Sequence, residues 1–131
     1  MYEQETSGLV VRVEPQFLAD ESKPEENRYV WAYTIEIENR SEDTVRLVSR
    51  FWRITDENGH TQEVRGEGVV GKQPTLRPGE RFRYTSAAPL GAPSGVMMGA
   101  YSMTRIGDGG SFDIAVPLFA LDSPHNAKMV N

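Results

Sequence analysis

The amino-acid sequence predicts an all-β protein, a sandwich of antiparallel sheets with about seven strands. Three observations lead to this prediction. Apolar and polar residues alternate in short segments, as they do in half-buried strands. Clusters of Gly, Pro, Asn and Asp separate these segments and are typical of turns. No segment has the capped amphipathic pattern of a long helix, so the sequence does not predict a parallel sheet with crossover helices.

The clearest alternation lies in residues 28–39. One face of an extended chain would carry five large apolar residues, namely Tyr29, Trp31, Tyr33, Ile35 and Ile37. A helix would scatter these side chains around its axis, whereas a strand places them all on one side. This segment therefore predicts a half-buried strand.

Six further segments predict strands: residues 9–14, 45–55, 61–64, 81–85, 96–103 and 112–118. Segment 45–55 has apolar residues on both faces, which suits a central strand. One face would carry Val45, Leu47 and Phe51, and the other Val48, Trp52 and Ile54. The polar segment 61–64 and the last segment, which contains Pro117, are predicted at sheet edges. We expect an immunoglobulin-like or fibronectin type III-like sandwich in preference to a closed barrel.

Size and composition restrict the class of protein. The 131 residues predict one domain, residues 1–131, with flexible ends at 1–7 and 122–131. The lack of cysteine excludes disulfides, thiolate metal sites and a cysteine nucleophile. A net charge of −5 disfavours nucleic acid as a partner. Neither a signal peptide nor a membrane-spanning segment is visible, so we expect a cytoplasmic protein that does not contact membranes.

Residues 66–71 fit the G-x-G-x-x-G pattern of dinucleotide-binding folds. In those folds the glycines precede a helix whose N-terminus holds the pyrophosphate. Pro74 and Pro78 follow here instead, and a crossover helix cannot contain both. The sequence therefore argues against a Rossmann fold.

Two interpretations of this motif remain open. Backbone N–H groups of the loop could form a nest for a small anion or nucleotide. The candidate residues for such a site are Gly66, Gly68, Gly71, Lys72 and Arg50. Alternatively, the motif is a purely structural loop between strands that requires unusual backbone angles.

Three arginines, Arg46, Arg50 and Arg53, lie in or beside the predicted central strand, and Trp52 stands between the last two. An arginine beside an aromatic ring can bind phosphate or carboxylate, but a solvated or salt-bridged arginine is the alternative. In a regular strand, Arg50 would share a face with Trp52 and would have to reach the rim or find a carboxylate.

Signals for metal binding and catalysis are weak. His60 and His125 stand alone, and the acidic residues at 20–26 lack the spacing of a calcium loop. No serine lies in a G-x-S-x-G elbow. We expect no enzyme activity, no metal site, no cofactor and no catalytic residue.

Residues 97–103 contain Met97, Met98, Tyr101 and Met103 on a single predicted strand. Apolar residues on both faces of this strand would leave one face outside the core. Such an exposed patch predicts an interface, with a second copy of the chain as one candidate partner.

The chain resembles the bacterial ApaG family, whose domain also occurs in larger eukaryotic proteins. The resemblance rests on residues 28–35, 47–56, 67–74, 76–86 and 99–103, in order and at similar spacing over nearly the whole chain. One departure is Phe51, where many relatives have a histidine between arginine and tryptophan.

The resemblance implies a fibronectin type III-like sandwich and supplies no catalytic residues. It links relatives loosely to cobalt resistance and magnesium efflux, the glycine motif to pyrophosphate, and the eukaryotic domains to protein interaction. We therefore expect a non-enzymatic module that binds an unknown protein partner. The alternatives are pyrophosphate or nucleotide binding at residues 66–71 and an accessory role in cobalt or magnesium homeostasis.

Overall fold

The computed structural model describes residues 1–125, and these form an all-β fold. The strands are β1 (Tyr2–Thr6), β2 (Leu9–Phe17), β3 (Tyr29–Asn39), β4 (Val45–Asp56), β5 (Thr61–Glu67), β6 (Thr75–Leu76), β7 (Arg81–Leu90), β8 (Ser94–Arg105) and β9 (Ser111–Asp122). Two single-turn 3-10 helices, Ala19–Glu21 and Pro24–Glu26, lie between β2 and β3. The predicted fold class is confirmed, and the two strands beyond the predicted seven are β1 and the two-residue β6.

Two antiparallel sheets face each other. The first has the strand order β1-β2-β3-β7, and the second has the order β5-β4-β8-β9 with β6 paired to β4. The predicted edge positions of β5 and β9 and the central position of β4 are confirmed. No helix of the described residues is long and apolar enough to cross a membrane.

The core between the sheets is rich in aromatic side chains. The Trp52 ring packs edge-on against the rings of Tyr33, Tyr101 and Phe119, at centroid distances of 5.4, 6.1 and 6.2 Å. Edge-to-face contacts of this kind stabilise aromatic pairs beyond the burial of their area. Because these four residues come from β3, β4, β8 and β9, the cluster joins the two sheets.

A bulge in β4 corrects the predicted division of its faces. Leu47 pairs with Met103 and Ser49 with Ser102, so Val48 is the extra residue. The extra residue reverses the alternation beyond it. Val45, Leu47, Trp52 and Ile54 are consequently all buried, whereas Phe51 points outward.

A second bulge lies in β9, where Pro117 and Leu118 stand opposite Met98 alone. Alternation along 112–118 predicts Leu118 on the face of Ile114 and Val116. The bulge turns Leu118 outward instead.

The N-terminal residues 1–7, expected to be flexible, include strand β1, which pairs with β2. Its side chains also cover the edge of β9, because the Ala120 N–H donates to the Tyr2 hydroxyl and the Ala115 N–H donates to Thr6 Oγ1. These contacts close one side of the sandwich. At the other end, β9 includes Asp122 and Ser123 is buried, while residues 126–131 of the expected flexible end lie outside the described residues.

Candidate functional site

The glycine motif forms a tight hairpin. After β5 ends at Glu67, Val69 and Lys72 exchange two backbone hydrogen bonds of 2.8 and 2.9 Å around the two-residue turn Val70–Gly71. Both turn residues have positive φ, +43° and +78°, as type I′ turns require. The chain then continues to β6 (Thr75–Leu76), with no helix between the hairpin and this strand. The prediction that this motif does not open a dinucleotide-binding helix is confirmed.

The hairpin uses N–H groups that an anion nest would need. The Gly68 N–H donates to the Val48 carbonyl, and the Val69 and Lys72 N–H groups donate across the turn. A nest requires successive N–H groups that point together at the anion. These three groups are therefore already satisfied within the protein.

Two glycines of the motif make room for neighbouring groups. Gly66 pairs with Arg50, and a Cβ on Gly66 would stand 2.8 Å from Arg50 Nη1. Gly68 has a φ of +62°, and a Cβ there would collide with the Lys72 carbonyl oxygen. With no side chain on Gly66, the Arg50 side chain crosses β5.

The Arg50 guanidinium is held by the backbone of this segment. Nη1 donates to the carbonyl oxygens of Glu67 and Gly68, at 3.0 and 2.9 Å. Among residues 1–125, no carboxylate forms an ion pair with Arg50. The other two arginines have side-chain partners: Arg46 donates to Gln73, and Arg53 donates two hydrogen bonds to Glu63.

Arg50 lines a cleft between the two sheets, on the side opposite the β1 and β9 contacts. The cleft, which we call the inter-sheet cleft, has a volume of about 310 Å³. Its wall includes Tyr33, Tyr84, Ser86, Trp52, Val69 and Val70. It thus combines one guanidinium with hydroxyl groups and apolar surface.

Three tyrosine hydroxyls lie around Arg50. Burial raises the pKa of Tyr33, and it raises the pKa of Tyr84 and of Tyr101 as well, although the Arg50 charge opposes each shift. The hydroxyls of Tyr84 and Tyr101 share a buried hydrogen bond of 2.5 Å. All three phenols therefore stay protonated at neutral pH.

The structure brings only part of the predicted site together. Arg50 contacts both Gly66 and Gly68, whereas Lys72 does not line the inter-sheet cleft and borders a shallow depression with Arg46 and Gln73. Gly71 borders both places. Whether these residues bind an anion stays a prediction.

Sequence reasoning missed the cleft residues Tyr33, Tyr84 and Ser86. The alternation assigns both tyrosines to buried faces, which gave no reason to expect hydroxyl groups at a cleft. Ser86 pairs directly with Tyr33 across β3 and β7. Only the pairing of these two strands reveals that the hydroxyl-bearing residues are neighbours.

A second feature is the outward face of the five-stranded sheet. Met97, Tyr101 and Met103 are buried, but Met98 points outward and is 39% exposed. Leu118, opposite Met98, is 56% exposed. The predicted division of this strand into a core face and an outward apolar face is confirmed.

No metal centre is formed by the part of the chain that the structure describes, since no three His, Asp or Glu side chains gather there. His60 is exposed beside Asp56. His125 packs against the rings of Phe17 and Tyr29.

Comparisons with known proteins agree on one family. The model of the ApaG domain matches residues 19–105. Protein ApaG of Parvibaculum lavamentivorans is 53% identical over 131 residues, 100% of both chains, and that of Maricaulis maris is 57% identical over 124 residues, 95% of both. The crystal structure of the putative ApaA protein from Bordetella pertussis is 42% identical, with a TM-score of 0.85 over 90% of this chain and 95% of that one.

Proposed function

The chain belongs to the ApaG family, and from that premise we propose that it is a non-enzymatic, cytoplasmic module that binds another protein through the outward face of its five-stranded sheet. The observation that carries the proposal is the apolar patch on this face, formed by Val96, Met98 and Leu118. Contiguous exposed apolar surface is characteristic of protein interfaces.

The patch is continuous because its residues are neighbours across the sheet. Val96 pairs with Ala120, and the next outward residue on β8, Met98, stands opposite Leu118. Ala100 follows and pairs with Phe51. Small and large apolar side chains thus alternate over adjacent strands, which leaves a shallow surface for a partner to fill.

The strands of the first sheet have no large apolar side chain that is exposed, and their outward face carries paired charges. There Arg12 forms ion pairs with Glu3, Glu36 and Glu38 at 2.7 to 2.9 Å. Charged side chains that already have partners gain little from a second protein. The second sheet also has a paired charge on its outward face, Arg53 with Glu63, but the exposed large apolar side chains of the described strands all belong to this sheet. This difference supports an interface on the second sheet.

Charge beside the patch indicates the chemistry of the partner. The Arg65 guanidinium lies over the Phe51 ring, 4.3 Å from its centroid, and forms no ion pair with residues 1–125. An arginine stacked on an aromatic ring is a common anchor of protein interfaces. We therefore expect the partner to present an apolar surface with a carboxylate that pairs with Arg65.

The other functions considered have less support. The cobalt or magnesium role lacks a cluster of metal ligands among residues 1–125. Pyrophosphate binding by the glycine loop stays a prediction, with the N–H groups of Gly68, Val69 and Lys72 already used.

Site-directed photo-crosslinking in cells tests the proposal. A benzophenone side chain at position 98 should yield one defined adduct, whereas the same group at Thr85, exposed on the outward face of the first sheet, should not. Leu118→Lys should abolish the adduct and leave the melting temperature unchanged, because Leu118 is mostly exposed.

The mass of the adduct identifies the partner, and an adduct of two copies identifies a homodimer. Equal labelling from positions 98 and 85, or an adduct that persists in Leu118→Lys, would contradict the proposal.

A further inference from the structure

The inter-sheet cleft contains an arginine whose charge the protein does not neutralise. Arg50 lies on the core-facing side of β4, level with the buried Tyr101. Its Nη1 is satisfied by two carbonyl oxygens, but within residues 1–125 neither Nε nor Nη2 has a hydrogen-bond partner. A partly buried guanidinium is costly unless an anion accompanies it.

The rest of the molecule shows that carboxylates are not scarce. The chain has 19 Asp and Glu residues against 14 Lys and Arg. Arg12 alone pairs with three glutamates. In the cleft, by contrast, backbone carbonyls hold the Arg50 guanidinium, and its positive charge remains available to an external anion.

Hydroxyl groups and apolar surface complete the site. Tyr33 and Ser86, a directly paired couple on β3 and β7, line the same cleft as Arg50. Either hydroxyl can donate to an anion while the other hydrogen-bonds to it. Trp52, Val69 and Val70 supply an apolar wall beside them.

From this arrangement we infer that the inter-sheet cleft binds a small monocarboxylate with an aromatic or branched apolar body, its carboxylate on Arg50 and its body against Trp52 and Val70. A guanidinium binds a carboxylate through two parallel hydrogen bonds, which Nε and Nη2 are free to make. The inference is independent of the proposed protein-binding face, which lies on the outward side of the same sheet.

The charge balance favours a carboxylate over a phosphate. The cleft has one cation, and Glu67 stands on its rim. Lys72 does not line the cleft and borders a separate depression with Arg46 and Gln73. Arg50 can balance the single charge of a monoanion, whereas a dianion would keep an unbalanced negative charge beside Glu67.

The backbone at the cleft supports a role for Val70. A β-branched residue with φ of +43° is strained, yet Val70 occupies this position with a half-exposed side chain at the wall of the cleft. Strained residues concentrate at binding sites, where the side chain's position outweighs the cost. Apolar contact with a ligand would explain why a valine occupies this strained position.

NMR titration of the full 15N-labelled chain with phenylacetate tests the inference. Saturable shift changes are expected at the amides of residues 69–71 and at Arg50 Nε. Neutral phenylacetamide serves as the matched probe without charge and should cause no saturable change. Inorganic phosphate should bind more weakly than phenylacetate.

Variants then assign the contacts. Arg50→Gln should abolish phenylacetate binding, and Ser86→Ala and Tyr33→Phe should each weaken it about tenfold, the size of one hydrogen bond to a charged group. The control Arg83→Gln removes an exposed arginine from the outward face of the first sheet and should leave the affinity unchanged. Should Arg50→Gln fail to fold, the Ser86 and Tyr33 variants still decide the matter.

Three results would overturn the inference. These are the absence of saturable shifts at millimolar phenylacetate, equal responses to phenylacetate and phenylacetamide, and tighter binding of phosphate than of phenylacetate. An unchanged affinity in both Ser86→Ala and Tyr33→Phe would also overturn it, because it would show that phenylacetate does not bind in the cleft.

Discussion

The Arg50 guanidinium lies directly against the backbone of Gly66, so that a methyl group on this glycine would stand 2.8 Å from Nη1 and 2.9 Å from both Cζ and Nη2. The first glycine of the G-x-G-x-x-G pattern therefore makes room for an arginine. The pattern that resembles a phosphate-binding loop thus accommodates the Arg50 side chain in this protein.

Gly66→Ala should displace Arg50 at modest cost. The flexible guanidinium can move away from the new methyl group, but it then loses its hydrogen bonds to Glu67 and Gly68. We expect a loss of about 1–2 kcal/mol in the free energy of unfolding, measured by chemical denaturation. Gly107→Ala, with no atom within 4 Å of the new Cβ, is the control and should change stability by less than about 0.5 kcal/mol. Equal effects in the two variants would refute the packing of Arg50 on Gly66.

Gly68→Ala should be more damaging than Gly71→Ala. Both glycines have positive φ, so both substitutions carry the conformational cost of about 1–2 kcal/mol. Only at Gly68 does the added Cβ also collide with the Lys72 carbonyl oxygen, while at Gly71 the space is open. Thermal and denaturant unfolding should therefore show an additional loss of about 1–3 kcal/mol for the Gly68 variant. Indistinguishable stabilities would show that the hairpin relaxes freely.

Val70→Asn should stabilise the protein by about 1 kcal/mol, since asparagine followed by glycine is the preferred pair for a type I′ turn. Differential scanning calorimetry should show a higher melting temperature. The control is Val64→Asn, an exposed valine within β5, which should show no gain because strands favour valine. A melting temperature for Val70→Asn at or below the wild-type value would argue against strain at this turn.

The hydrogen bond between the Tyr84 and Tyr101 hydroxyls should give a non-additive mutant cycle. Each single change to phenylalanine leaves the other buried hydroxyl without this partner and should cost about 1–3 kcal/mol. Removing both hydroxyls should cost less than the sum of the two single changes. Equilibrium unfolding of the four proteins measures the coupling, and strict additivity would contradict the bond.

Stability should depend on pH through Glu38. The guanidinium groups of Arg12 and Arg40, at 2.9 and 3.3 Å from Glu38 Oε1, lower the pKa of this carboxyl below its usual 4.5, and the charge of Arg81 adds to the effect. The folded pKa lies below the unfolded one, so the contribution is full above about 4.5 and is lost as pH falls through the folded pKa.

Glu38→Gln should consequently lower the melting temperature at neutral pH, and the difference from wild type should shrink as the pH falls below 4.5. Glu14→Gln is the matched control, because Glu14 is exposed and makes no ion pair among the described residues. A melting-temperature difference for Glu38→Gln that did not change with pH would show that ionisation of Glu38 does not contribute to stability.

The sequence by itself determined the all-β class, the position of β4 at the centre of a sheet and the edge positions of β5 and β9. Alternation of apolar residues reports which side of a strand is buried, and Gly, Pro and Asn report where strands end. It also excluded a dinucleotide-binding helix after the glycine motif, since prolines restrict the backbone whatever surrounds them.

Only the tertiary structure decided which residues meet. The bulge at Val48 reassigned the faces of β4, and nothing in the alternation marks the position of an inserted residue. The pairing of Tyr33 with Ser86 joins strands about fifty residues apart, so no local pattern records it. The sequence also identified Arg50 and Gly66 as candidate site residues. The cleft that Arg50 faces, and the lack of a carboxylate partner for Arg50 within residues 1–125, follow from long-range packing.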